Sequence, residues 1–282
     1  MSRRILHVSD LHLGARKGRD LDAVVEALGA LVERVDPALL IASGDLAHRG
    51  ASADLVAAAD LLRGYGRPLL AVPGNHDIPL LPPERFLAPW RGFTGAFGTT
   101  EPVHASPDLH VVGVNSVRPL RHQGGAIGQA ALARAVARLE QGAPGACRIV
   151  VFHHHVLAAP WRVRKRPLSA RKAVLERLLG AGAELIVGGH IHQVTASAGR
   201  EFRTDGARVL LKTAPGLGHP RPSRGGEARG ALAYRVEPDA ITVETWSFDE
   251  VAFELAATRR FPRAPAAARS SAPPELVRSA PG

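Results

Sequence analysis

The sequence predicts a single α/β domain built on two β-sheets. Two observations carry this reading. Short apolar runs alternate with longer amphipathic ones through the first two thirds of the chain, the pattern of parallel crossover units. After His192 the pattern changes to short alternating segments with no long helix between them, which predicts antiparallel strands of a second sheet.

The elements follow in order. Arg4 to Ser9 reads as a strand, and Leu21 to Val35 has helical spacing at Leu21, Val24, Val25, Leu28, Leu31, Val32 and Val35. A strand at Ala38 to Ala42, a helix over Ala53 to Arg63 and a strand at Pro68 to Val72 continue the alternation. Val111 to Val114, Arg148 to Phe152 and Glu184 to Val187 are further buried strands, with helices at Gln129 to Glu140 and Ala170 to Leu179. Val209 to Thr213, Ala231 to Val236 and Ile241 to Trp246 supply the closing strands.

Composition narrows the class. The 282 residues suffice for a sizeable core, and 45% hydrophobic with 22% charged residues is ordinary for a globular enzyme. The single cysteine, Cys147, excludes a disulfide framework and a cysteine-based zinc site. No apolar run reaches the ~20 residues that span a bilayer, and Ile5 to Val8 is too short for a signal core, so a cytoplasmic protein without membrane partners is expected. The net charge of +10 favours anionic partners. Part of that excess lies after Thr258, where five arginines face one glutamate in an Ala/Pro/Ser-rich run. Residues 1–256 are therefore expected to fold, and 257–282 to form a disordered basic tail.

Polar clusters fall at the carboxyl ends of the predicted strands, where open α/β sheets present ligands. Asp10-Leu11-His12 follows ILHVS, and Gly44-Asp45 follows LLIAS. Gly74-Asn75-His76-Asp77 follows LLAVP, His153-His154-His155 follows RIVVF, and Gly189-His190-Ile191-His192 follows ELIVG. G-N-H-D is an uncommon string here because the chain has only two asparagines, Asn75 and Asn115. His7, His48, His104 and His110 stand outside these clusters and read as structural. Mixed carboxylate, imidazole and amide donors suit Mn, Fe or Zn, whereas an all-oxygen set would favour Mg or Ca.

This order of motifs resembles the calcineurin-like metallophosphoesterase superfamily over Ile5 to about Phe248. SGDLAHRG and AVPGNHDIP are most similar to its bacterial branch containing class III cyclic-nucleotide phosphodiesterases. The resemblance implies a four-layer αββα sandwich of two mixed β-sheets flanked by helices. It implies one metal held by Asp10, His12, Asp45 and His192, and a second held by Asp45, Asn75, His153 and His190, with Asp45 bridging. The implied reaction is hydrolysis of a phosphate ester by a hydroxide bridging two transition-metal ions (Mn, Fe or Zn). His76 is implied as proton donor to the leaving oxygen or stabiliser of transition-state charge, with Asp77 orienting its ring. The fourth motif departs from the family's His-His-Pro, reading His153-His154-His155-Val156. His153 ends the strand and is the ligand by left alignment; His154 takes its place if the strand ends one residue later.

Substrate contacts are expected from Trp161 and Arg162 in the basic segment AAPWRVRKRPLSARK, from Arg224 in the Gly/Pro-rich run Ala214 to Gly230, and from Asn115 after VVGV. A phosphodiester, such as a cyclic or other small nucleotide, is the expected substrate. The alternatives are a DNA nuclease of the same superfamily, a phosphomonoesterase, and a metal-free binding scaffold. Homodimerisation through the C-terminal strands, as in some relatives, stays open.

Overall fold

The computed structural model describes residues 2–15, 19–121, 123–157, 165–192, 202–204, 207–218 and 229–263. In chain order its elements are β1 (Arg3–Val8), α1 (Arg19–Val35), β2 (Leu39–Ala42), α2 (Ser52–Gly64), β3 (Leu69–Ala71), α3 (Glu84–Leu87), α4 (Arg91–Phe97), β4 (Val103–Ala105) and β5 (Leu109–Gly113). Then come α5 (Gln129–Glu140), β6 (Cys147–Val151), α6 (Arg171–Gly180), β7 (Leu185–Gly188), β8 (Phe202–Thr204), β9 (Ala207–Thr213), β10 (Gly230–Val236), β11 (Ala240–Phe248) and β12 (Phe253–Pro262).

They form two six-stranded mixed sheets. One has the order β12-β11-β10-β1-β2-β3, the other β4-β5-β6-β7-β9-β8. In the first, β1 runs parallel to β2 and antiparallel to β10. In the second, β5, β6, β7 and β9 are mutually parallel.

The two-residue period of the strands divides the buried side chains into three cores. Leu6, Val8, Leu40 and Ala42 face α1 and α2, meeting Val24, Leu28, Leu31, Leu55, Ala58 and Leu62. The alternate residues Ile5, Leu39 and Ile41 turn to the second sheet and its Val111, Ile149, Val151, Leu185 and Val187. On that sheet's far side, Val112, Val150 and Ile186 pack on Leu132 and Leu139 of α5 and Leu175 and Leu178 of α6. Three cores separate four layers, helices outside and sheets inside, which is the αββα sandwich.

Two expectations are corrected. The strands after His192 do not make a sheet of their own. β9 joins β7 in parallel, while β10, β11 and β12 extend the sheet of β1. Alternation in sequence marks a strand's two faces but not its partner, and β1 had one edge left open beside β2. The expected tail also starts too early. Ala257 to Pro262 continue β12, paired with Thr245 to Ala240 of β11. Phe261 packs against the inter-sheet core, and Arg263 makes a bidentate pair with Glu184 at 2.8 and 2.9 Å. These anchors hold an arginine-rich stretch that composition alone assigns to solvent. Residues 264–282 lie outside the described residues.

Candidate metal centre

The five polar clusters converge where the carboxyl ends of β1, β2 and β3 meet those of β6 and β7. Asp10, His12, Asp45, His190 and His192 all have left-handed backbones, with φ of 55°, 50°, 54°, 77° and 56°. Non-glycine residues rarely adopt this region, and such conformations gather at functional sites where the surroundings enforce them. Close approach explains two of the glycines. A Cβ on Gly74 would lie 2.2 Å from the backbone nitrogen of Asp45, and one on Gly189 would lie 1.8 Å from Ser9 Oγ.

Asp10, Asp45, His153 and His190 are fully buried, and His12 and Asn75 nearly so. Two groups of ligand atoms are brought together: Asp10, His12, Asp45 and His192, and Asp45, His153 and His190. Asp45 belongs to both. His192 Nε2 lies 3.0 Å from Asp10 Oδ1 and 3.3 Å from His12 Nε2, while His153 Nε2 lies 3.3 Å from Asp45 Oδ2. The same His153 nitrogen is 3.1 Å from His190 Nδ1 and 3.3 Å from Asn75 Oδ1. Each carboxylate uses one oxygen locally: Asp10 Oδ2 accepts from Ser9 Oγ at 2.6 Å and from the His190 N–H at 2.9 Å, and Asp45 Oδ1 accepts from the His76 N–H at 2.8 Å. The other oxygens, Asp10 Oδ1 and Asp45 Oδ2, are buried without a hydrogen bond. Buried anionic oxygens left over among imidazole nitrogens fit cations. His153 Nδ1 lies 2.8 Å from the Ser43 carbonyl oxygen; donating there leaves Nε2 with its lone pair toward the cluster, the usual support of a ligating histidine.

Electrostatics follow from this packing. Burial raises the Asp10 and Asp45 carboxyls, but the facing imidazoles, His192 for Asp10 and His153 for Asp45, hold both well below the usual range. Burial lowers His153, yet Asp45 and Asp10 overcome it and push this imidazole up to about 9. Burial holds His12 down to about 3. A ring nitrogen can take a proton or a cation, so a metal held at His153 would take the place of its proton.

The remaining expected residues divide. His76 is half-buried beside His12, with ring centroids 4.9 Å apart. The expectation that Asp77 orients it is corrected: His76 Nδ1 meets the carbonyl oxygen of His48 at 2.8 Å instead. The Asp77 carboxylate turns inward and accepts N–H groups from Ala47 and Gly74, both at 2.8 Å, tying the loop after β2 to the loop after β3. Burial, then the Asp45 charge, pushes the Asp77 carboxyl up to about 7. In the histidine triplet it is His153 that faces Asp45, while His154 Nδ1 pairs with Ser116 Oγ at 2.8 Å and His155 stacks on His190. Asn115 Oδ1 accepts the Val117 N–H at 2.9 Å within its own loop. Trp161, Arg162 and Arg224 lie outside the described residues. His48, expected to be structural, stacks on His76 with ring centroids 5.7 Å apart.

Among the described residues no helix is long and apolar enough to cross a membrane. A family model described as calcineurin-like phosphoesterase matches residues 3–194. A curated protein of Synechococcus sp., named as a probable cyclic nucleotide phosphodiesterase, is 30% identical over 129 residues, 44% of this chain and 48% of the relative. The chain thus spans about half the length of that relative. Among solved structures, a dimetal phosphatase from Danio rerio matches with a TM-score of 0.63 at 11% identity, covering 93% of this chain and 99% of that one. A purple acid phosphatase from yellow lupin (Lupinus luteus) seeds matches with a TM-score of 0.65 at 9% identity, covering 99% and 57%. At such identities the structural likeness speaks for the fold alone.

Proposed function

The chain belongs to the calcineurin-like phosphoesterase family, and from that premise we propose that it hydrolyses a phosphodiester, with cyclic or other small nucleotides as the substrate class. The observation that carries this reading is Asp45, one buried carboxylate shared by two groups of ligand atoms. Asp10, His12, Asp45 and His192 would hold one ion, and Asp45, Asn75, His153 and His190 the other; Mn, Fe and Zn suit these donors. Two such ions supply Lewis-acid neutralisation of the phosphoryl oxygens and a water acidic enough to attack near neutral pH.

The chain's own residues do the rest. Ser9 and the His190 N–H fix Asp10 by its second oxygen, and the His76 N–H fixes Asp45. This preorganisation keeps the anionic oxygens aimed at the cluster before ligands arrive. His76, with Nδ1 donating to the His48 carbonyl, would hold or deliver a proton at the leaving oxygen through Nε2. Partial identity to a probable cyclic nucleotide phosphodiesterase supports the diester over the monoester.

The test pairs metal analysis with a substrate panel of bis-p-nitrophenyl phosphate, p-nitrophenyl phosphate, cyclic nucleotides and single-stranded DNA. Turnover of the diester and of a cyclic nucleotide, with two ions per chain, is expected. Monoester preference would make the protein a phosphatase. Turnover of DNA alone, with binding that falls steeply as salt rises, would make it a nuclease. Fewer than two ions and no turnover would leave a scaffold.

A further inference from the structure

Of the nine exposed large apolar side chains among the described residues, five belong to one part of the surface. Leu80 and Leu81 lie in the loop after β3, Phe86 and Leu87 in α3, and Leu120 in the loop after β5. One guanidinium gathers them. Arg85 is buried, and its Nε donates to the Pro119 carbonyl at 2.8 Å and its Nη1 to the Pro79 carbonyl at 2.9 Å. Leu80, Phe86 and Leu120 each follow one of these three residues in the chain. His76 and Asp77 precede Leu80 in the same loop, so the patch borders the rim of the candidate metal centre. A turn closed by the Arg121 N–H on the Arg118 carbonyl, at 2.9 Å, has Pro119 second and Leu120 third, which puts this leucine at its tip between two arginines.

Shape and charge say what this patch meets. Leu81, Leu87 and Leu120 are 70%, 82% and 86% exposed, so they stand out from the surface and do not line a groove. Protruding leucines suit a fluid apolar medium better than the fitted wall of a protein partner. Residues 79–91 and 115–125 hold one acid, Glu84, against four arginines. Neither Arg118 nor Arg121 pairs with a carboxylate; Arg121 reaches Ser169 Oγ at 3.1 Å. Two copies meeting here would set these arginines against their own duplicates, a juxtaposition of like charge that opposes association. We propose that Leu80, Leu81, Leu87 and Leu120, with Arg118 and Arg121, dock the protein on the surface of an anionic lipid bilayer. The leucines enter the boundary between headgroups and acyl chains, and the guanidiniums take the lipid phosphates. Attachment of this kind needs no membrane-spanning helix. The inference stands apart from the dinuclear reading, since no proposed metal ligand takes part in it.

Sedimentation of the full chain with lipid vesicles tests this without reference to turnover or metal content. Wild type is expected to bind vesicles of phosphatidylcholine and phosphatidylglycerol in equal parts, and to stay in solution with phosphatidylcholine alone. Leu81→Ser with Leu120→Ser leaves the net charge of +10 unchanged and, at such exposures, removes nothing from the core. It is expected to weaken binding by about tenfold or more, because burying one leucine is itself worth about that factor. Leu81→Ser with Leu87→Ser is expected to act alike, and circular dichroism checks that each variant is folded. Arg118→Gln with Arg121→Gln is expected to weaken binding to the mixed vesicles, as is added salt in wild type. Three results overturn the proposal: no binding of wild type to the mixed vesicles, equal binding to phosphatidylcholine alone, or folded variants of either kind that bind as wild type does. The last would leave only the unspecific attraction of a basic chain for anionic lipid. A wild-type dimer that the serine variants turn into monomer, without vesicle binding, would assign the patch to a second copy instead.

Discussion

The backbone N–H of His76 donates to Asp45 Oδ1 at 2.8 Å. This one bond joins the loop after β3 to the carboxylate that the two ligand groups share, and it leaves Oδ2 to face His153 at 3.3 Å. The group proposed to move a proton and the group proposed to bridge the ions are therefore set by the same contact.

Asp45→Asn keeps the shape and the acceptor for His76 but removes the charge and an oxygen able to serve two cations. Bound metal is expected to fall at both positions, and turnover to drop by more than the ~10²-fold typical of losing a supporting contact. Asp10→Asn touches only one group and is expected to retain the second ion. Elemental analysis of the two variants checks the difference; equal loss of both ions from each would dismiss a bridging role for Asp45.

His76→Ala removes the imidazole and none of the ligands proposed for the two ions. Turnover is expected to fall about 10²–10⁴-fold, the range for a lost general acid, with two ions still bound. Metal loss in parallel with activity would make His76 a structural residue.

Asp77→Ala tests the corrected role of that carboxylate. Removing it leaves the buried N–H groups of Ala47 and Gly74 without their acceptor, at about 1–3 kcal/mol each. Urea unfolding should show a loss of that order. Reduced turnover at unchanged stability would restore Asp77 to the ring of His76.

Gly74→Ala places a methyl group 2.2 Å from the backbone nitrogen and Oδ1 of Asp45. The backbone cannot yield there as a flexible side chain would, so the loops after β2 and β3 must part. Binding of fewer than two ions with a lowered melting temperature is expected, and wild-type metal content would show that the loops have slack.

His7 gives a pH dependence with a definite sign. It lies fully buried, with Nδ1 3.0 Å from Tyr234 Oη and Nε2 2.8 Å from Ser43 Oγ, and burial holds its imidazole down to about 3 from an ordinary 6.5. Between those values the unfolded chain binds a proton that the folded chain refuses, so stability declines as the pH falls from 6.5 toward 3. The contribution approaches about 1.4 kcal/mol per pH unit. In urea titrations the slope of stability against pH below 6.5 should be shallower by that amount in His7→Gln. Parallel slopes would show that another group carries the acid sensitivity.

The outer frame and the convergence of the candidate ligands were legible because each motif directly follows a strand whose apolar run is unambiguous. Helix α5 was read at its observed limits, Gln129–Glu140, from spacing alone. Helices α3 and α4 were not read, since Pro82, Pro83, Gly92 and Gly95 interrupt any helical repeat, and it is Phe93 and Ala96 packing on the core around α2 that hold α4. The partners of β9 to β12 were illegible for a different reason: pairing is a property of two edges, and a strand's own residues report only its faces. Asp77 failed likewise, because adjacency in sequence suggested a partner that the turn directs away from it.

The proposed ligands come from both sheets: Asp10, His12, Asp45 and Asn75 follow strands of the first, His153, His190 and His192 strands of the second. Ions seated among them would act as rivets through the middle of the sandwich, at the interface whose core of Ile5, Ile41, Val111, Ile149 and Tyr234 is apolar. Chelation would then do more than silence chemistry. It would free the two halves to slide, and amide exchange along β2 and β6 should register that loosening before either sheet comes apart.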